Sequence, residues 1–370
     1  MRSIKAVLCC FSLMTLLGCR ADSEILLVSS YRDYRAFENN EDLALIKMAI
    51  EENIENSVSF RTIIGEKNCS LTETILKSMT LNPELVFIIS DGLDNSYETV
   101  IADYPKVHFV VLDGNENEMT NYSSLSYDIE TASYLAAYTL SIDAYPRDFF
   151  FINPFNSKMN QKMVLSFLKG LGDLGEYYFN TRKTRLHQRF GYADFKEAYP
   201  DSDSINNTVE RMIKDYILDV PQGKEIFLLN PNPIYDFLIQ RIMMDHNPLA
   251  RLVNTGQDNM ITTFHDRFSA TFVKDYHNVV YQILEDYGHN TLRPSYFMAY
   301  DDGITFKYNP RYFIEMNRPE KHQEFYLDVL NNIKNGTLNP RVDLKMFDDL
   351  ENYATSLFSI DTYYYFEDLA

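Results

Sequence analysis

The sequence is poor in basic residues, has only 13 glycines and contains no tryptophan. Its 34 basic side chains are outnumbered by 53 acidic ones, which gives the 370-residue chain a formal charge of −19. Because such a surface repels phosphate, the composition argues against nucleic-acid binding and against docking on anionic lipid through a basic face. What the chain does have is 45% apolar residues, including 27 tyrosines and 25 phenylalanines. This is enough for a substantial core, and the length indicates two domains.

The motifs of common catalytic and metal sites are missing as well. The sequence has neither a Walker A motif nor G-x-S-x-G, and no two of its seven histidines lie three or four residues apart. Residues 170–175 satisfy G-x-G-x-x-G. A dinucleotide loop would follow a strand, however, whereas these glycines follow a predicted helix and are expected to end it. The sequence therefore predicts no catalytic residue, no metal site and no cofactor, which argues against an enzyme.

The first 18 residues are typical of a secretory signal peptide. Arg2 and Lys5 precede an apolar run over residues 6–17, which is too short to span a bilayer as a helix. The run ends in Leu-Leu-Gly-Cys at residues 16–19, which resembles the lipobox of bacterial lipoproteins. That resemblance implies cleavage before Cys19 and diacylation of its thiol. An ordinary signal peptide followed by an incidental cysteine is the alternative.

Few cysteines and no further long apolar run remain after such a cleavage. Cys9 and Cys10 leave with the signal and Cys19 carries lipid, so Cys69 has no partner for an internal disulfide. No later segment approaches eighteen consecutive apolar residues. We therefore expect a soluble body on the extracytoplasmic side of the cell membrane, tethered through its lipid anchor alone.

After the signal, short apolar runs alternate with amphipathic segments. Strands are predicted at residues 24–29, 58–64, 84–90, 106–112, 148–152, 225–229, 249–254 and 269–273. Helices are predicted at residues 40–53, from Ser70 onward with a capping box to Glu73, and at 95–104, 130–142, 158–171, 206–218, 234–245 and 274–287. This alternation is typical of an α/β protein with parallel sheets covered on both faces.

Several short motifs occur in the order and spacing of a known family. They are residues 87–92 (FIISDG), 104–109 (YPKVHF), 112–114 (LDG), 126–136, 167–172, 300–304 and 333–336. Together they resemble the basic membrane lipoprotein family, whose members are substrate-binding proteins of ABC importers, with nucleoside-binding lipoproteins among them. The resemblance covers most of residues 24–340 and implies a type I periplasmic-binding fold. Such a fold has two Rossmann-like lobes, three crossings between them and a ligand cleft.

This resemblance also suggests how the chain is divided. After the signal peptide (1–18), the predicted N-terminal lobe comprises residues 19–142 and about 270–308. The predicted C-terminal lobe comprises residues 143–269 and about 309–345, and residues 346–370 form a C-terminal tail. Ligands on lobes of this kind collect at the carboxyl ends of the strands.

In the first lobe, the resemblance implies contacts to a purine base. Phe37 and Asn39 match the family's Ser-Phe-Asn loop, whose aromatic ring stacks on the base. Asp91 matches the loop after the third strand, where a carboxylate accepts hydrogen bonds from base nitrogens. Structural roles stay open for both, namely a hydrophobic staple for Phe37 and a helix cap or turn for Asp91.

In the second lobe, the sequence both matches the family and departs from it. Asp258 and Lys274 match an aspartate that grips ribose hydroxyls and a lysine before the returning helix. Gly256 stands where the family has another aspartate, so one hydrogen-bond acceptor for ribose is lost. Gln257 and Asn232 are the candidates for neutral replacements.

Three functions are compatible with these observations. The first is a substrate-binding lipoprotein that captures a nucleoside-like molecule, closes its lobes and delivers the ligand to an ABC permease. The second keeps the fold as a ligand sensor or an accessory surface lipoprotein, because residues 177–204 and Gly256 depart from the family. The third is a lipid-anchored enzyme, which no motif supports.

Overall fold

A computed structural model describes the chain over residues 23–31, 33–34, 42–54, 58–67, 69–90, 96–142, 147–152, 158–186, 188–193, 225–230, 250–255, 268–308, 319–357 and 360–366. The predicted signal peptide, Cys19 and the predicted helices at 206–218 and 234–245 lie outside these residues.

Thirteen strands lie in the described part of the chain. They are β1 Ser23–Ser29, β2 Val58–Ile64, β3 Leu85–Ile89, β4 His108–Leu112, β5 Tyr122–Tyr127, β6 Arg147–Ile152, β7 Gln188–Ala193, β8 Glu225–Asn230, β9 Ala250–Thr255, β10 Phe268–Lys274, β11 Ser295–Met298, β12 Ile304–Tyr308 and β13 Ile360–Phe366. All eight predicted strands are confirmed, each to within two residues at either end.

Eight α-helices accompany these strands in the same described ranges. They are α1 Asp42–Asn53, α2 Leu71–Ser78, α3 Tyr97–Asp103, α4 Ile129–Ser141, α5 Lys158–Arg182, α6 Tyr276–Gly288, α7 Pro319–Lys334 and α8 Leu350–Ser356. None of the described helices is long and apolar enough to cross a bilayer. The predicted capping box is present at α2, where Glu73 N–H donates to Ser70 Oγ at 3.1 Å and Ser70 N–H donates to Glu73 Oε2 at 3.0 Å.

The strands form two sheets, and the predicted α/β fold of the periplasmic-binding type is confirmed. The first sheet has six parallel strands in the order β11-β5-β4-β3-β1-β2. The second has seven in the order β12-β10-β9-β8-β6-β7-β13. Only β12 runs antiparallel to its neighbour in this second sheet.

The continuous apolar runs of the first sheet arise because helices cover both of its faces. Every residue of β3 is buried, and its alternate side chains belong to two different clusters of the core. Leu85, Phe87 and Ile89 pack on the side of α1 and α6, whereas Val86 and Ile88 pack on the side of α2 and α3. A strand buried on both faces has no solvent side, so it shows no polar alternation.

Helix α5 corrects one prediction, because it continues to Arg182 instead of ending near Leu171. Its glycines serve close packing, not termination. A Cβ at Gly170 would lie 2.9 Å from both Ala137 Cβ and the Tyr134 carbonyl oxygen of α4. A Cβ at Gly172 would lie 3.1 Å from Leu357 Cβ. The absent side chains let α4 and its neighbours approach α5 at distances that no other residue type allows.

The chain crosses between the sheets three times. It leaves the first sheet at the end of β5 for α4, which packs on α5 and α7. It returns at the end of β10 into α6, which packs on α1, and then leaves again between β11 and β12. The sheets therefore divide residues 270–308 differently from the predicted lobes, since β10 and β12 belong to the seven-stranded sheet.

Two segments to which sequence analysis assigns no role pair with each other in the structure. The predicted C-terminal tail contains α8 and β13, and β13 pairs in parallel with β7. Strand β7 lies within residues 177–204, where the sequence departs from the family. Together, the two segments extend the second sheet by one edge strand beyond β7.

Candidate functional site

Two charged side chains from opposite sheets meet between the lobes. Asp113 directly follows β4 of the six-stranded sheet, and Lys274 is the last residue of β10 in the seven-stranded sheet. Lys274 Nζ donates to Asp113 Oδ2 at 2.6 Å, and their side chains are only 6% and 9% exposed. Because both residues stand at the carboxyl ends of parallel strands, this ion pair marks the position where ligands of doubly wound sheets are held.

A tyrosine and a methionine complete the surroundings of Lys274. The hydroxyl of Tyr276 donates to Asp113 Oδ2 at 2.5 Å, and Lys274 Nζ lies 3.4 Å from that hydroxyl. Met159 Sδ of α5 lies 3.2 Å from the same nitrogen. Tyr127 places its ring centre 5.3 Å from Nζ, within the range of a cation–π contact. The ammonium group therefore touches both lobes.

The turn after β4 puts the Asp113 carboxylate in this position. Asp113 has φ of 58°, a left-handed conformation that aspartate tolerates better than most residues. The next residue must be small, because a Cβ at Gly114 would lie 2.7 Å from Val111 Cγ1. The predicted stop of the fourth strand at Asp113-Gly114 is confirmed, and the same two residues build the cleft-side turn.

A pocket of about 430 Å³ adjoins this ion pair, and we call it the hinge pocket because it borders the first crossing. From the first lobe it is lined by Asp113, Tyr127 and Phe297, among others. From the second lobe it is lined by Lys158 and Lys162 of α5, with further residues of α4. Its walls thus come from both lobes, and its volume lies in the usual range of small-molecule sites.

Two polar atoms at the hinge pocket are buried without a hydrogen bond to any described residue. They are Asp113 Oδ1, an acceptor, and the hydroxyl of Tyr127, a donor. Burial raises the pKa of Tyr127 well above its ordinary value, and the nearby Asp113 charge raises it further. The phenol therefore stays protonated at neutral pH and remains a hydrogen-bond donor.

The first crossing is held by an arginine from the segment after α7. Arg341 donates to both carboxylate oxygens of Asp128, and Nη1 also reaches Glu130 Oε2 at 3.2 Å. Val342 N–H donates to the other oxygen of Glu130 at 3.0 Å. These contacts raise the pKa of Arg341, chiefly through the hydrogen bond to Asp128. The segment also brings Leu344 to the wall of the hinge pocket.

Of the predicted ligand residues, Lys274 is the one that the described ranges include. It lies between the lobes, although its role toward a ligand stays a prediction. The others lie outside the described residues: Phe37, Asn39, Asp91, Asn232, Gln257 and Asp258. Sequence analysis missed Asp113, Tyr127 and Tyr276 as neighbours of Lys274. Their positions could have pointed to them, because Asp113 directly follows β4 and Tyr127 is the last residue of β5, both on the cleft side.

The fold and this cleft define a two-lobed binding protein of the periplasmic type. Residues 25–179 match the sequence model of the Bmp family, the PnrA-like substrate-binding proteins of ABC transporters. The predicted resemblance is confirmed over this span. No curated protein sequence matches the chain.

Solved structures share the fold at low sequence identity. An ABC transporter solute-binding protein from Aeropyrum pernix K1 is 13% identical with a TM-score of 0.65, covering 90% of this chain and 98% of that one. GanP, a glucose-galactose binding protein from Geobacillus stearothermophilus, is 11% identical with a TM-score of 0.55, covering 77% and 97%. A transcriptional activator of the comK gene from Bacillus halodurans is 15% identical with a TM-score of 0.57, covering 84% and 97%. These likenesses show the fold, and with the family match they support an ABC transporter substrate-binding protein, which is not an enzyme.

Proposed function

We propose that this protein is a lipid-anchored extracytoplasmic substrate-binding protein that holds a purine nucleoside between its lobes and delivers it to an ABC permease. The family match over residues 25–179 carries the proposal. The anchor is inferred from the lipobox-like residues 16–19, and the nucleoside from the motifs shared with nucleoside-binding members. A lipid anchor and a nucleoside ligand are both compatible with an acidic protein that has no catalytic motifs.

The ligand contacts we propose come from both lobes. Phe37 stacks on the base, and Asn39 and Asp91 bind its polar edge. In the second lobe, Asp258 and Lys274 bind the sugar, with Gln257 and Asn232 as further hydrogen-bonding partners. Lys274 is well suited to this role because its buried ammonium already lies between the lobes, 2.6 Å from Asp113.

Closure follows from a ligand that touches both lobes. Such a ligand binds the closed arrangement more tightly than the open one, so it shifts the population toward closure. The permease then distinguishes the closed, loaded protein from the open, empty one by shape. This mechanism requires the three crossings to bend while the two sheets stay rigid.

Two measurements test the proposal on the mature protein. Mass spectrometry of small molecules released by denaturation should detect a purine nucleoside. Calorimetric titration of stripped protein with adenosine, guanosine and inosine should give saturable binding, and small-angle scattering should show a smaller radius of gyration when the ligand is bound. Adenine and free ribose serve as controls for the base and the sugar alone. If no nucleoside binds, the sensor or accessory function replaces nucleoside transport.

A further inference from the structure

We propose that the hinge pocket binds the anionic end of a hydroxylated ligand, namely a phosphate monoester of a sugar or of a nucleoside. This inference rests on the proposed function, because the pocket lies between the two lobes that would close on the ligand. It concerns residues that the sequence did not point to as ligand contacts: Asp113, Tyr127, Lys158, Lys162 and Phe297.

Two lysines supply positive charge at the pocket. Lys158 and Lys162 stand four residues apart at the start of α5, so they share one face of the helix. Lys158 is exposed and has no ion pair within the described ranges, and Lys162 lies 3.9 Å from Glu130 with its side chain 42% exposed. The N-terminal end of a helix adds a partial positive charge of its own. In a chain with a formal charge of −19, this local balance is unusual.

Two of the three carboxylates that line the same pocket already have a cationic partner. Asp113 is paired with Lys274 at 2.6 Å, and Glu130 is paired with Arg341 at 3.2 Å. The third carboxylate, Glu116, is exposed at the rim. Arg341 is shared with Asp128, so the four acidic and four basic side chains at and behind the pocket wall balance. Lys158 has no carboxylate partner of its own among the described residues, which leaves its ammonium group for the anionic end of a ligand.

The two buried polar atoms indicate a hydroxyl on the ligand. Asp113 Oδ1 can only accept a hydrogen bond, and the Tyr127 hydroxyl is a donor. Leaving such atoms buried without partners is costly, so a group that satisfies them gains affinity. A sugar hydroxyl can donate to the carboxylate and accept from the phenol.

Size and an exposed ring fit the same ligand class. The pocket volume of about 430 Å³ suits a phosphorylated sugar. Phe297 of the edge strand β11 lines the pocket with 52% of its surface exposed. An exposed aromatic face at a pocket mouth is a platform for the apolar face of a sugar or for a base.

The test is calorimetric titration of the mature protein with five probes: ribose 5-phosphate, adenosine 5′-monophosphate, adenosine, ribose and inorganic phosphate. We expect each phosphate ester to bind at least tenfold more tightly than its unphosphorylated counterpart, and this preference to shrink at high salt. In the double variant Lys158→Met/Lys162→Met, the preference should fall below threefold. The control Lys77→Met/Lys106→Met removes two exposed lysines that do not line the pocket, and it should keep the preference.

A second variant separates binding from folding. Tyr127→Phe keeps the ring and removes the unpartnered donor, so the melting temperature without ligand should stay unchanged or rise. Binding of ribose 5-phosphate should weaken at least tenfold. A lower melting temperature with unchanged affinity would show that the hydroxyl has a structural role only, which overturns its assignment to the ligand.

The outcomes distinguish this inference from the proposed function. Adenosine binding that neither phosphate nor the lysines affect overturns the inference and leaves nucleoside binding standing. Ribose 5-phosphate binding that needs the lysines, without any adenosine binding, supports the inference and overturns the nucleoside proposal. Inorganic phosphate binding as tightly as ribose 5-phosphate overturns the hydroxyl contact. Binding of none of the five probes overturns both.

Discussion

Arg341 holds Asp128 through both ends of its guanidinium group, with Nη1 2.5 Å from Oδ1 and Nη2 3.0 Å from Oδ2. Asp128 is also the N-cap of α4, where it accepts from Thr131 N–H at 3.2 Å, and its own N–H donates to Met298 O at 2.9 Å. One residue therefore ties the first crossing to the end of β11 through its backbone N–H and to the segment after α7 through its carboxylate. Because the lobes move about the crossings, this contact bears on both stability and closure.

Arg341→Ala should destabilise the protein by about 1–3 kcal/mol. The loss leaves two buried carboxylates, Asp128 and Glu130, without their cation, and the estimate is reduced because the Arg341 side chain is 47% exposed. Urea unfolding measures the change. Lys334→Ala is the matched control, because Lys334 pairs with Asp301 at 3.1 Å on an exposed surface and should cost under about 1 kcal/mol. Equal losses in the two variants would refute a special role for Arg341.

Lys274→Met should cost about 3–5 kcal/mol, since it leaves the Asp113 carboxylate buried and uncompensated. The double variant Lys274→Met/Asp113→Asn should recover part of that loss, because it removes the orphaned charge. Chemical unfolding of the two single variants and the double variant gives the coupling energy. Additive losses would mean that the pair does not interact across the lobes.

Gly170→Ala should destabilise by about 1–3 kcal/mol, although alanine is the better helix former. The added Cβ would lie 2.9 Å from Ala137 Cβ and from the Tyr134 carbonyl, and backbone cannot move away easily. Gly288→Ala is the control, because nothing lies within 4 Å of its Cβ position at the end of α6. That variant should be neutral or up to about 1 kcal/mol more stable. Thermal unfolding of both proteins compares the two positions, and a stabilised Gly170→Ala variant would contradict the packing account.

Cys19→Ser should abolish membrane partitioning of the protein made with its own signal sequence. The acyl chains would supply nearly all of the membrane affinity, at about 0.8 kcal/mol per buried CH₂. Fractionation into pellet and supernatant, with Cys69→Ser as the control, measures the effect. A Cys19→Ser protein that still needs detergent for extraction would show that another anchor exists.

The strands with continuous apolar runs were predictable, whereas the polar strand β5 is one of five strands that were not predicted. Residues 85–89 are all apolar, and their burial on both faces is what the run indicates. Strand β5 has the sequence Tyr-Ser-Ser-Leu-Ser-Tyr, and its three serines interrupt the apolar pattern that would predict a buried strand. Ser123 and Ser124 are nonetheless fully buried, and Ser123 Oγ donates to the Arg293 carbonyl oxygen at 2.5 Å. Arg293 lies 170 residues further along the chain, so no local sequence pattern indicates this hydrogen bond.

The length of α5 also depends on long-range contacts that local sequence does not predict. Three glycines within six residues predict a helix end, because glycine lowers local helix propensity. The helix continues because α4 lies against Gly170, and tertiary packing outweighs the local preference. Strands β7 and β13 likewise support each other from distant parts of the chain.

By itself the sequence determined the α/β class, the alternation of strands and helices, the resemblance to the Bmp family over residues 25–179 and the capping box at Ser70. Each depends on neighbouring residues or on motif order. Only the tertiary structure brought Asp113 to Lys274, Arg341 to Asp128 and the two lysines of α5 to the hinge pocket. These contacts join residues from different lobes or distant segments. Their distances depend on how the three crossings fold back, a geometry that local periodicity does not encode.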